Sequence, residues 1–332
     1  MTIPEFSKTD KILVIRLSSL GDILLVTPVV RALKNKNPGI SIDFLLREEY
    51  SDALKLNNNL DNLYFYKRDG RFKAGLLESL KMNKYDFVFD LQNNYRSREI
   101  CSALKVKTFR FFKHSLDKFL LVKFKINRLK STKQIPFRYA GTIGELALDE
   151  RGIDLYTDKF PDKIISGKNN LIGFCPGARH FTKRWPADYF VKLGNLLTQY
   201  GFTVLLFGGK SDRQLCSEIS GQITTSYDLS NDNDLLQTVA DMKSCKIIVG
   251  NDSGLIHAAS STNAKIIVIF GSTVREFGFA PFNCDHLILE NNLLTCRPCS
   301  HIGKEICPKK HFNCMKTIEP ETVFMKIQTF LS

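Results

Sequence analysis

The sequence has 332 residues, 43% of them hydrophobic and 24% charged, and its formal net charge is +13. This charge indicates anionic partners such as nucleic acid, phosphorylated small molecules or an acidic membrane surface. The length favours two domains, and no apolar run approaches the ~18 residues of a membrane-spanning helix. The first residues lack a basic stretch followed by an apolar one, so we expect no signal peptide and a cytoplasmic location. Nine cysteines in such a chain do not indicate a secreted disulfide framework.

The first half alternates short apolar runs with segments of helical periodicity. Runs rich in β-branched residues predict buried strands, and apolar residues at three- and four-residue spacing predict helices. The predicted elements are strand 11–16, helix 23–34, strand 40–46, helix 51–56, strand 63–66, helix 74–82 and strand 85–91. This alternation indicates βαβ units and a mostly parallel sheet.

The first strand leads into the first helix through Ser18, Ser19, Leu20, Gly21 and Asp22. Such a loop lies at the carboxyl edge of the sheet, where open α/β sheets bind their ligands. Gly21 has no Cβ, so the backbone can come close to a ligand there. Asp22 lies at or near the helix N-terminus, where a carboxylate either caps the helix or acts on a ligand.

Residues 105–138 form a basic segment, in which eleven Lys and Arg accompany a single acid, Asp117. Phenylalanines and leucines are interleaved with these charges. One interpretation is the solvated face of a surface helix whose aromatics belong to the core. Another is a basic amphipathic surface that meets anionic lipid or a phosphorylated acceptor. No recognised nucleic-acid-binding module accompanies the charge, so we expect no nucleic-acid partner.

The second half begins after a predicted helix over 137–148 and a polar linker over 149–170. It repeats the alternation of strands and helices. The predicted elements are a strand from Leu171, helix 187–200, strand 202–207, helices 212–219 and 234–242, strands 246–249 and 265–270, and a last helix over 320–331. Two doubly wound α/β halves of similar size are therefore expected.

A second loop of the same kind spans residues 250–259. A buried strand ends, small residues turn the chain and a helix begins near Leu255. Free N–H groups at a helix start favour a phosphate. Asp252 can accept hydrogen bonds from hydroxyls of a ribose or sugar, and Ser253 can donate to phosphate. His257, one turn into the helix, is either a ligand contact or a core residue.

Together these motifs resemble the bacterial lipopolysaccharide heptosyltransferases, the ADP-heptose family of glycosyltransferases. The matching stretches are residues 11–22, 27–28, 176–178, 183–186 and 250–257. The resemblance covers nearly the whole chain and implies the GT-B architecture, with two Rossmann-like domains facing a central cleft. It also implies inverting transfer of a heptose from ADP-heptose to a lipid-linked Kdo or heptose acceptor, with no cofactor required for catalysis.

The resemblance further implies roles for single residues. Asp22 is the base that deprotonates the acceptor hydroxyl, and the acceptor-side loop contains Arg16, Ser18, Ser19 and Gly21. The nucleotide-sugar site contains Lys183, which binds phosphate, together with Asp252, Ser253, Gly254 and His257. The implied domains are residues 1–160 for the anionic acceptor, 161–318 for the nucleotide sugar, and a helix over 319–332 that packs back on the first domain. The basic segment is expected to hold the enzyme at the inner face of the cytoplasmic membrane.

The sequence departs from the family pattern at the donor site. Ala178 and Arg179 stand where heptosyltransferase I has two threonines, and Lys210 stands where that enzyme has a glutamate that contacts ribose. One alternative is therefore a sibling enzyme that uses another nucleotide sugar for a surface glycan. A second is a non-catalytic nucleotide- or lipid-binding protein of the same fold, although binding alone does not require Asp22 together with Lys183.

Asp232 and Asp234 resemble the Asp-x-Asp motif of metal-dependent glycosyltransferases. They directly precede a predicted helix, however, and Asp is a preferred capping residue. We interpret them as a capping pair.

A cysteine cluster ends the second half. Four thiols at this spacing can close a tetrahedral zinc site that pins a loop-rich tail. The alternatives are reduced thiols or disulfides. The predicted zinc ligands are Cys296, Cys299, Cys307 and Cys314.

Overall fold

The computed structural model describes residues 6–7, 10–67, 70–144 and 146–331. The chain divides into two compact units. Unit 1 comprises Met1–His114 and Lys133–Tyr156, and unit 2 comprises Ser115–Thr132 and Thr157–Ser332.

Unit 1 is a five-stranded parallel sheet with helices. Along the chain, residues up to 144 form β1 (Lys11–Ile15), α1 (Leu20–Leu24), α2 (Thr27–Lys36), β2 (Ser41–Arg47), β3 (Asn62–Tyr66), α3 (Gly70–Met82), β4 (Phe87–Asp90), α4 (Tyr95–Leu104), β5 (Lys107–Arg110), α5 (Ser115–Phe124, in unit 2) and α6 (Ile135–Ile143). The strand order is β3-β2-β1-β4-β5, which is the Rossmann order. The predicted parallel βαβ architecture is therefore confirmed.

Unit 2 contains a six-stranded parallel sheet. Its further elements are β6 (Leu171–Cys175), α7 (Ala187–Gln199), β7 (Thr203–Leu206), α8 (Arg213–Ser220), β8 (Ser226–Asp228), α9 (Leu235–Met242), β9 (Ile247–Asn251), α10 (Gly254–Ala259), β10 (Lys265–Phe270), β11 (His286–Glu290), α11 (Asn313–Lys316) and α12 (Pro320–Leu331). The order β11-β10-β9-β6-β7-β8 is again the Rossmann order, counted from β6. Within the described residues, no helix combines the length and the apolarity needed to cross a membrane.

Both faces of the second sheet are buried, which explains its continuous apolar strands. Alternate residues of β9 point to opposite sides: Ile247 and Val249 join one core, and Ile248 joins the other. The same alternation in β10 places Ile267 and Val268 on opposite faces. The sheet is thereby fixed in register, and the loops after its strands are held at one edge.

The predicted helix over 23–34 is two helices. α1 ends at Leu24 and α2 begins at Thr27, with Pro28 in its first turn, where the missing N–H costs nothing. The Thr27 hydroxyl donates to the Leu24 carbonyl at 2.8 Å, so the break satisfies one of the orphan acceptors of α1.

The structure differs from the sequence prediction in two placements. The helix α5 of the basic segment groups with unit 2, where Leu121 packs with Val274 and Phe277. The C-terminal helix α12 was expected to pack on the first domain. Its Val323 and Ile327 instead join the core of unit 2 beside α7. The apolar periodicity of a helix predicts that one face is buried, but not which partner buries it.

The predicted linker begins with an anchored stretch. The Arg31 side chain of α2 pairs with Asp149 at 2.7 Å and with Asp154 at 2.5 Å, and Arg31 and Asp154 are buried. The backbone N–H of Asp154 also donates to the Thr27 hydroxyl at 2.9 Å. Residues up to Tyr156 therefore belong to unit 1, and Thr157 begins unit 2 again.

Candidate functional site

The first candidate loop lies at the point where the strand order of unit 1 reverses. β1 and β4 are neighbours, and their following connections lead in opposite directions along the sheet. Ligands of open α/β sheets bind outside the carboxyl ends of the strands at this kind of point. The loop after β1 carries Asp22, and the loop after β4 carries Gln92.

Asp22 is held by partners on both carboxylate oxygens. Its Oδ1 pairs with Nη2 of Arg16 at 2.6 Å, and the Tyr139 hydroxyl lies 3.4 Å from the same oxygen. Its Oδ2 accepts from the Ser19 hydroxyl at 2.7 Å and from the Ser19 N–H at 3.2 Å. Ser19 and Asp22 thus form the capping box of α1. The capping interpretation is correct, and the carboxylate retains 15% side-chain exposure toward a ligand.

The electrostatics of the loop keep Asp22 ionised. Burial alone raises the pKa of Asp22, but the charge of Arg16 and the hydrogen bonds from Ser19 outweigh it, so the pKa is held below its ordinary value. A carboxylate has about four lone-pair sites, and four donors of the protein are directed at those of Asp22; the Tyr139 hydroxyl, at 3.4 Å, is the weakest and the one that a substrate hydroxyl can displace. Asp22 can therefore accept a proton-bearing hydroxyl at any pH near neutral.

Two side chains that support this loop were missed by sequence reasoning. Gln92 Oε1 accepts from the N–H groups of Leu17 and Ser18 at 2.9 and 3.1 Å, which fixes the turn after β1. Tyr139, buried in α6, faces the Arg16 guanidinium with its ring. Neither lies in a motif, and only the fold brings them to Asp22 across more than 70 residues.

Lys113 adds a second cation to this edge of unit 1. It lies three residues after the end of β5, close to Phe111, whose ring lies 4.8 Å from that of Tyr139. Burial, followed by the nearby Arg16 charge, lowers the pKa of Lys113. Within the described residues this half-buried ammonium has no hydrogen bond or ion pair of its own. The edge therefore carries a second cation near Asp22 that is not held in an ion pair.

The second candidate loop lies at the reversal point of the other sheet, between β6 and β9. Asp252 follows β9, and its Oδ2 pairs with Nζ of Lys183 at 2.7 Å. Lys183 ends a single 3-10 turn, Phe181–Lys183, in the connection after β6. The structure thus brings two of the predicted donor-site residues into direct contact, and both side chains are largely buried.

Asn251 joins the loops of this edge. Its amide oxygen accepts from the Trp185 N–H at 2.9 Å, and its amide nitrogen donates to the Pro176 carbonyl at 2.7 Å. The side chain is fully buried, so these bonds are well shielded from water. Asn251 therefore fixes the segment that carries Lys183 to the end of β9. It was not among the predicted site residues.

The other predicted donor-site residues lie at the start of α10. Ser253 is the N-cap residue and Gly254 is the first residue of the helix. The Ser253 hydroxyl is buried and has no hydrogen-bond partner in the described part of the chain. His257 is buried one turn into the helix.

The Asp212 carboxylate lies close to Lys210, a position where the sequence departs from the family pattern. Lys210 is exposed, but Asp212, two residues later, lies against the turn after β6. A Cβ added at Gly177 would collide with the Asp212 carboxylate, which would have to move away from this turn. Burial raises the pKa of Asp212 above its ordinary value. The edge therefore carries a hydroxyl acceptor that the motif comparison, centred on Lys210, did not identify.

Asp234 caps a helix, and both Asp232 and Asp234 form ion pairs with basic side chains of the protein. Asp234 is the N-cap of α9 and accepts from the Gln237 N–H at 3.0 Å, which confirms the capping interpretation for this residue. Asp234 also pairs with Lys159, and Asp232 pairs with Arg213 at 3.3 Å.

The predicted zinc ligands do not form a coordination set. All nine cysteines are free, and the Cys296 sulfur lies 3.8 Å from Nε2 of His311. Across residues 6–7, 10–67, 70–144 and 146–331, no three His, Cys, Asp or Glu side chains are grouped to hold a metal ion. The structure therefore does not show the predicted zinc site.

Comparisons with known proteins bear on the family and the fold of the chain. A model of glycosyltransferase family 9 (heptosyltransferase) matches residues 74–310. Lipooligosaccharide heptosyltransferase 2 of Campylobacter jejuni subsp. jejuni serotype O:6 is 28% identical over 321 residues, which are 93% of this chain and 95% of that protein.

Two solved structures share the fold. Escherichia coli ADP-heptose LPS heptosyltransferase II has a TM-score of 0.73 and 22% identity, covering 97% of this chain and 98% of that one. Escherichia coli heptosyltransferase WaaC, solved with ADP, has a TM-score of 0.72 and 16% identity, covering 96% and 99%. These likenesses confirm the GT-B fold class.

Proposed function

Because the chain belongs to glycosyltransferase family 9, the heptosyltransferases of lipopolysaccharide biosynthesis, we propose that it transfers a heptose from ADP-heptose to a lipid-linked core saccharide. The observation that carries the proposal is the pairing of two motif residues in each unit: Asp22 with Arg16, and Lys183 with Asp252. One pair holds an ionised carboxylate, and the other holds a cation.

The proposed reaction is an inverting displacement at the anomeric carbon of the heptose. The acceptor oxygen forms a bond to this carbon while the bond to the ADP oxygen breaks. The acceptor proton passes to the Asp22 carboxylate, and ADP leaves with the bonding electron pair. Proton removal by a positioned carboxylate is general base catalysis, and Ser19 and Arg16 fix its orientation.

The departing diphosphate needs positive charge, which Lys183 supplies in our proposal. One ammonium proton is directed to Asp252, so two remain for phosphate oxygens. The buried Ser253 hydroxyl, which has no partner among the described residues, is a further donor. With these groups no metal is required to stabilise the leaving group. A donor in which the sugar is linked to ADP is supported by the related WaaC, which was solved with ADP.

Recognition of an anionic acceptor is supported by the charge beside Asp22. Arg16 is already paired, whereas the half-buried Lys113 forms no ion pair or hydrogen bond with the described residues and has Asp90 and Asp22 only as more distant charges. A carboxylate or phosphate on the acceptor would pair with Lys113 and would place a hydroxyl near Asp22. We therefore propose an acidic, lipid-linked saccharide as the acceptor.

Peripheral binding to the inner face of the cytoplasmic membrane is supported by the surface of α5 and the residues after it. Leu116, Phe119, Phe124 and Ile126 are about half exposed or more. The cations Lys123, Arg128 and Lys130 are exposed among them. Lys125 is excluded from this surface, because its ammonium donates to the carbonyls of Pro298 and Cys296 in the same unit. Aromatics between exposed cations are typical of interfacial segments.

Neutralising this surface should release the protein from anionic membranes. Each Lys or Arg near an anionic surface contributes about 1 kcal/mol, so replacing Lys123, Arg128 and Lys130 with Gln should weaken binding roughly a hundredfold. Co-sedimentation with phosphatidylglycerol-containing vesicles measures this, and binding of the wild type should fall steeply with salt.

The matched control replaces Lys192, Lys243 and Lys246, three exposed lysines of the same unit, with Gln. It removes the same charge and should leave vesicle binding nearly unchanged. Equal losses in both triple variants would mean that only net charge matters. Equal binding of the wild type to neutral vesicles would also refute the proposal.

A donor panel tests the proposed substrate and the role of metal together. ADP-heptose, ADP-glucose and the GDP-, UDP- and dTDP-sugars are compared by thermal shift and by turnover, each with and without EDTA. We expect ADP-heptose to give the largest shift and the fastest turnover, with EDTA changing the rate less than twofold.

Preference for another nucleotide sugar would identify a sibling enzyme, as the departures at Ala178, Arg179 and Lys210 allow. Loss of turnover in EDTA with rescue by Mg²⁺ or Mn²⁺ would assign a metal role to Asp232 and Asp234. Binding of every donor without turnover would favour the non-catalytic alternative.

A further inference from the structure

The Asp252 carboxylate has a second partner besides Lys183. The Thr273 hydroxyl donates to Oδ2 of Asp252 at 2.7 Å, and this is the oxygen that Lys183 also contacts at 2.7 Å. Thr273 is almost completely buried, and Asp252 is nearly so. One oxygen thus receives a neutral and a charged donor in a site with little water, where such bonds are strong.

Thr273 reaches Asp252 because their strands are neighbours. β9 and β10 pair in parallel, so the chain leaves both strands at the same edge of the sheet. The Asp252 N–H still donates to the Ile269 carbonyl of β10, at 3.3 Å. Thr273 lies only three residues beyond the end of β10. The contact therefore belongs to the sheet edge and does not depend on a flexible loop.

The turn that carries Thr273 is anchored by Arg297. The buried guanidinium donates to the Thr273 carbonyl at 2.9 Å and to the Gly271 carbonyl at 2.6 Å, and it pairs with the buried Glu290 at 2.9 Å. The cysteine-containing segment that follows also holds this turn, since the Cys299 N–H donates to the Ser272 carbonyl at 3.2 Å. The hydroxyl of Thr273 is thus presented from a fixed backbone.

The shared oxygen affects how Lys183 can act. If Lys183 were the sole donor to Asp252, the carboxylate could rotate toward it and hold the ammonium away from an incoming phosphate. A second donor fixes the carboxylate and takes up part of its negative charge. The Lys183 ammonium is then held in one orientation, and its two remaining protons are available to phosphate oxygens.

We propose that Thr273 is a positioning residue of the donor site, which orients Lys183 toward the diphosphate through Asp252. This inference rests on the proposed function, in which Lys183 binds the donor. Thr273 itself is not assigned a contact with the donor.

The test compares Thr273→Val with Thr273→Ser. Valine keeps the shape but removes the donor, so the Kd for ADP measured by calorimetry and the KM for ADP-heptose should rise about tenfold or more. The kcat at saturating donor should fall less than in Lys183→Ala, because the Lys183 ammonium is still present although it is no longer held toward the departing diphosphate. Serine restores the hydroxyl and should restore both constants to within about twofold of wild type.

Thr262→Val is the matched control. Thr262 is also buried in unit 2, and its hydroxyl donates to the Ala259 carbonyl at 2.7 Å, away from Asp252. This variant should lose stability without a change in the Kd for ADP. If Thr273→Val does not fold, Thr273→Ala lacks the same donor and should show the same rise in Kd.

Two outcomes separate this inference from the proposed function. If Lys183→Ala raises the Kd for ADP while Thr273→Val leaves it unchanged, Thr273 has no positioning role. If Lys183→Ala itself leaves the Kd unchanged, the proposed donor site is wrong. If the Kd for ADP rises equally in Thr262→Val and Thr273→Val, the effect comes from a general loss of stability. This result would overturn the positioning role of Thr273.

Discussion

Replacing Asp22 with asparagine is expected to lower kcat by about a hundred- to ten-thousandfold while leaving the Kd for ADP unchanged. The amide has the size of the carboxylate and can still accept from Ser19, but it cannot take a proton from the acceptor. Initial rates at saturating ADP-heptose and acceptor measure kcat, and calorimetry with ADP measures the Kd.

The control for this variant is Asp234→Asn. Asp234 also lies at a helix start, as the N-cap of α9, where asparagine caps equally well. It should retain full activity. Asp22→Asn leaves the buried Arg16 without its carboxylate, so the free energy of unfolding should also fall by about 3 kcal/mol. Rates are therefore compared at a temperature where circular dichroism shows both variants folded. Activity of Asp22→Asn within tenfold of wild type would contradict the role of base.

The pH dependence provides a second readout of the same carboxylate. The pKa of Asp22 lies below its ordinary value, so the base stays ionised down to about pH 4. Because kcat/KM reports the free enzyme, it should show no acid limb from this group between pH 5 and 7. An acid limb near pH 6 that disappears in Asp22→Asn would contradict the pairing with Arg16.

Replacing Lys183 with alanine is expected to lower kcat/KM for ADP-heptose by about a hundred- to a thousandfold. The ammonium is the only cation paired with Asp252 among the described residues, and it is 16% exposed, so solvent screens it weakly. Without the ammonium, the diphosphate of the bound donor lacks a stabilising positive charge. The effect is larger for the departing ADP, which carries more negative charge. Steady-state kinetics with varied donor measure this change.

Lys192→Ala serves as the control for the lysine substitution. Lys192 is an exposed residue of α7 and lies 3.8 Å from Asp188 one turn earlier. Exposed pairs of this kind contribute little, so both stability and kcat/KM should stay near the wild-type values. An unchanged kcat/KM in Lys183→Ala would remove the donor site from this edge of unit 2.

The parallel sheets could be predicted because their strands are buried on both faces. β6, β9 and β10 read as continuous apolar runs, and the loops after β1 and β9 end in small residues. Strand order and register were not predicted, because parallel strands with helical connections can be arranged in more than one order. The position of both candidate loops at a sheet edge was nevertheless derivable from the chain alone.

The region between β4 and α6 was not derivable in this way. α4, β5 and α5 carry basic residues among their apolar ones, and the apolar residues of α5 do not fall on one clear face. Every interpretation of the charge treated residues 105–138 as one basic segment, while the chain divides it between two units. Which unit buries a short helix depends on how well its side chains fit the surface of that unit. The sequence of the helix alone does not determine this fit.

The partners of the candidate residues were also beyond sequence reasoning. Tyr139 lies 117 positions from Asp22, and Thr273 lies 21 positions beyond Asp252, neither at a motif spacing. Only the packing of α6 and the pairing of β9 with β10 bring them into contact. The cysteine spacing predicted a zinc site, but among the described residues no three potential ligands are grouped to hold a metal ion.

The most direct measurement is the intact mass of a heptose-deficient, lipid-linked acceptor after incubation with the purified protein and ADP-heptose. We expect the acceptor to gain the mass of one heptosyl residue, with one ADP released for each acceptor converted. An acceptor that gains no mass from ADP-heptose, or gains it only from a different nucleotide sugar, would contradict heptosyl transfer by this protein.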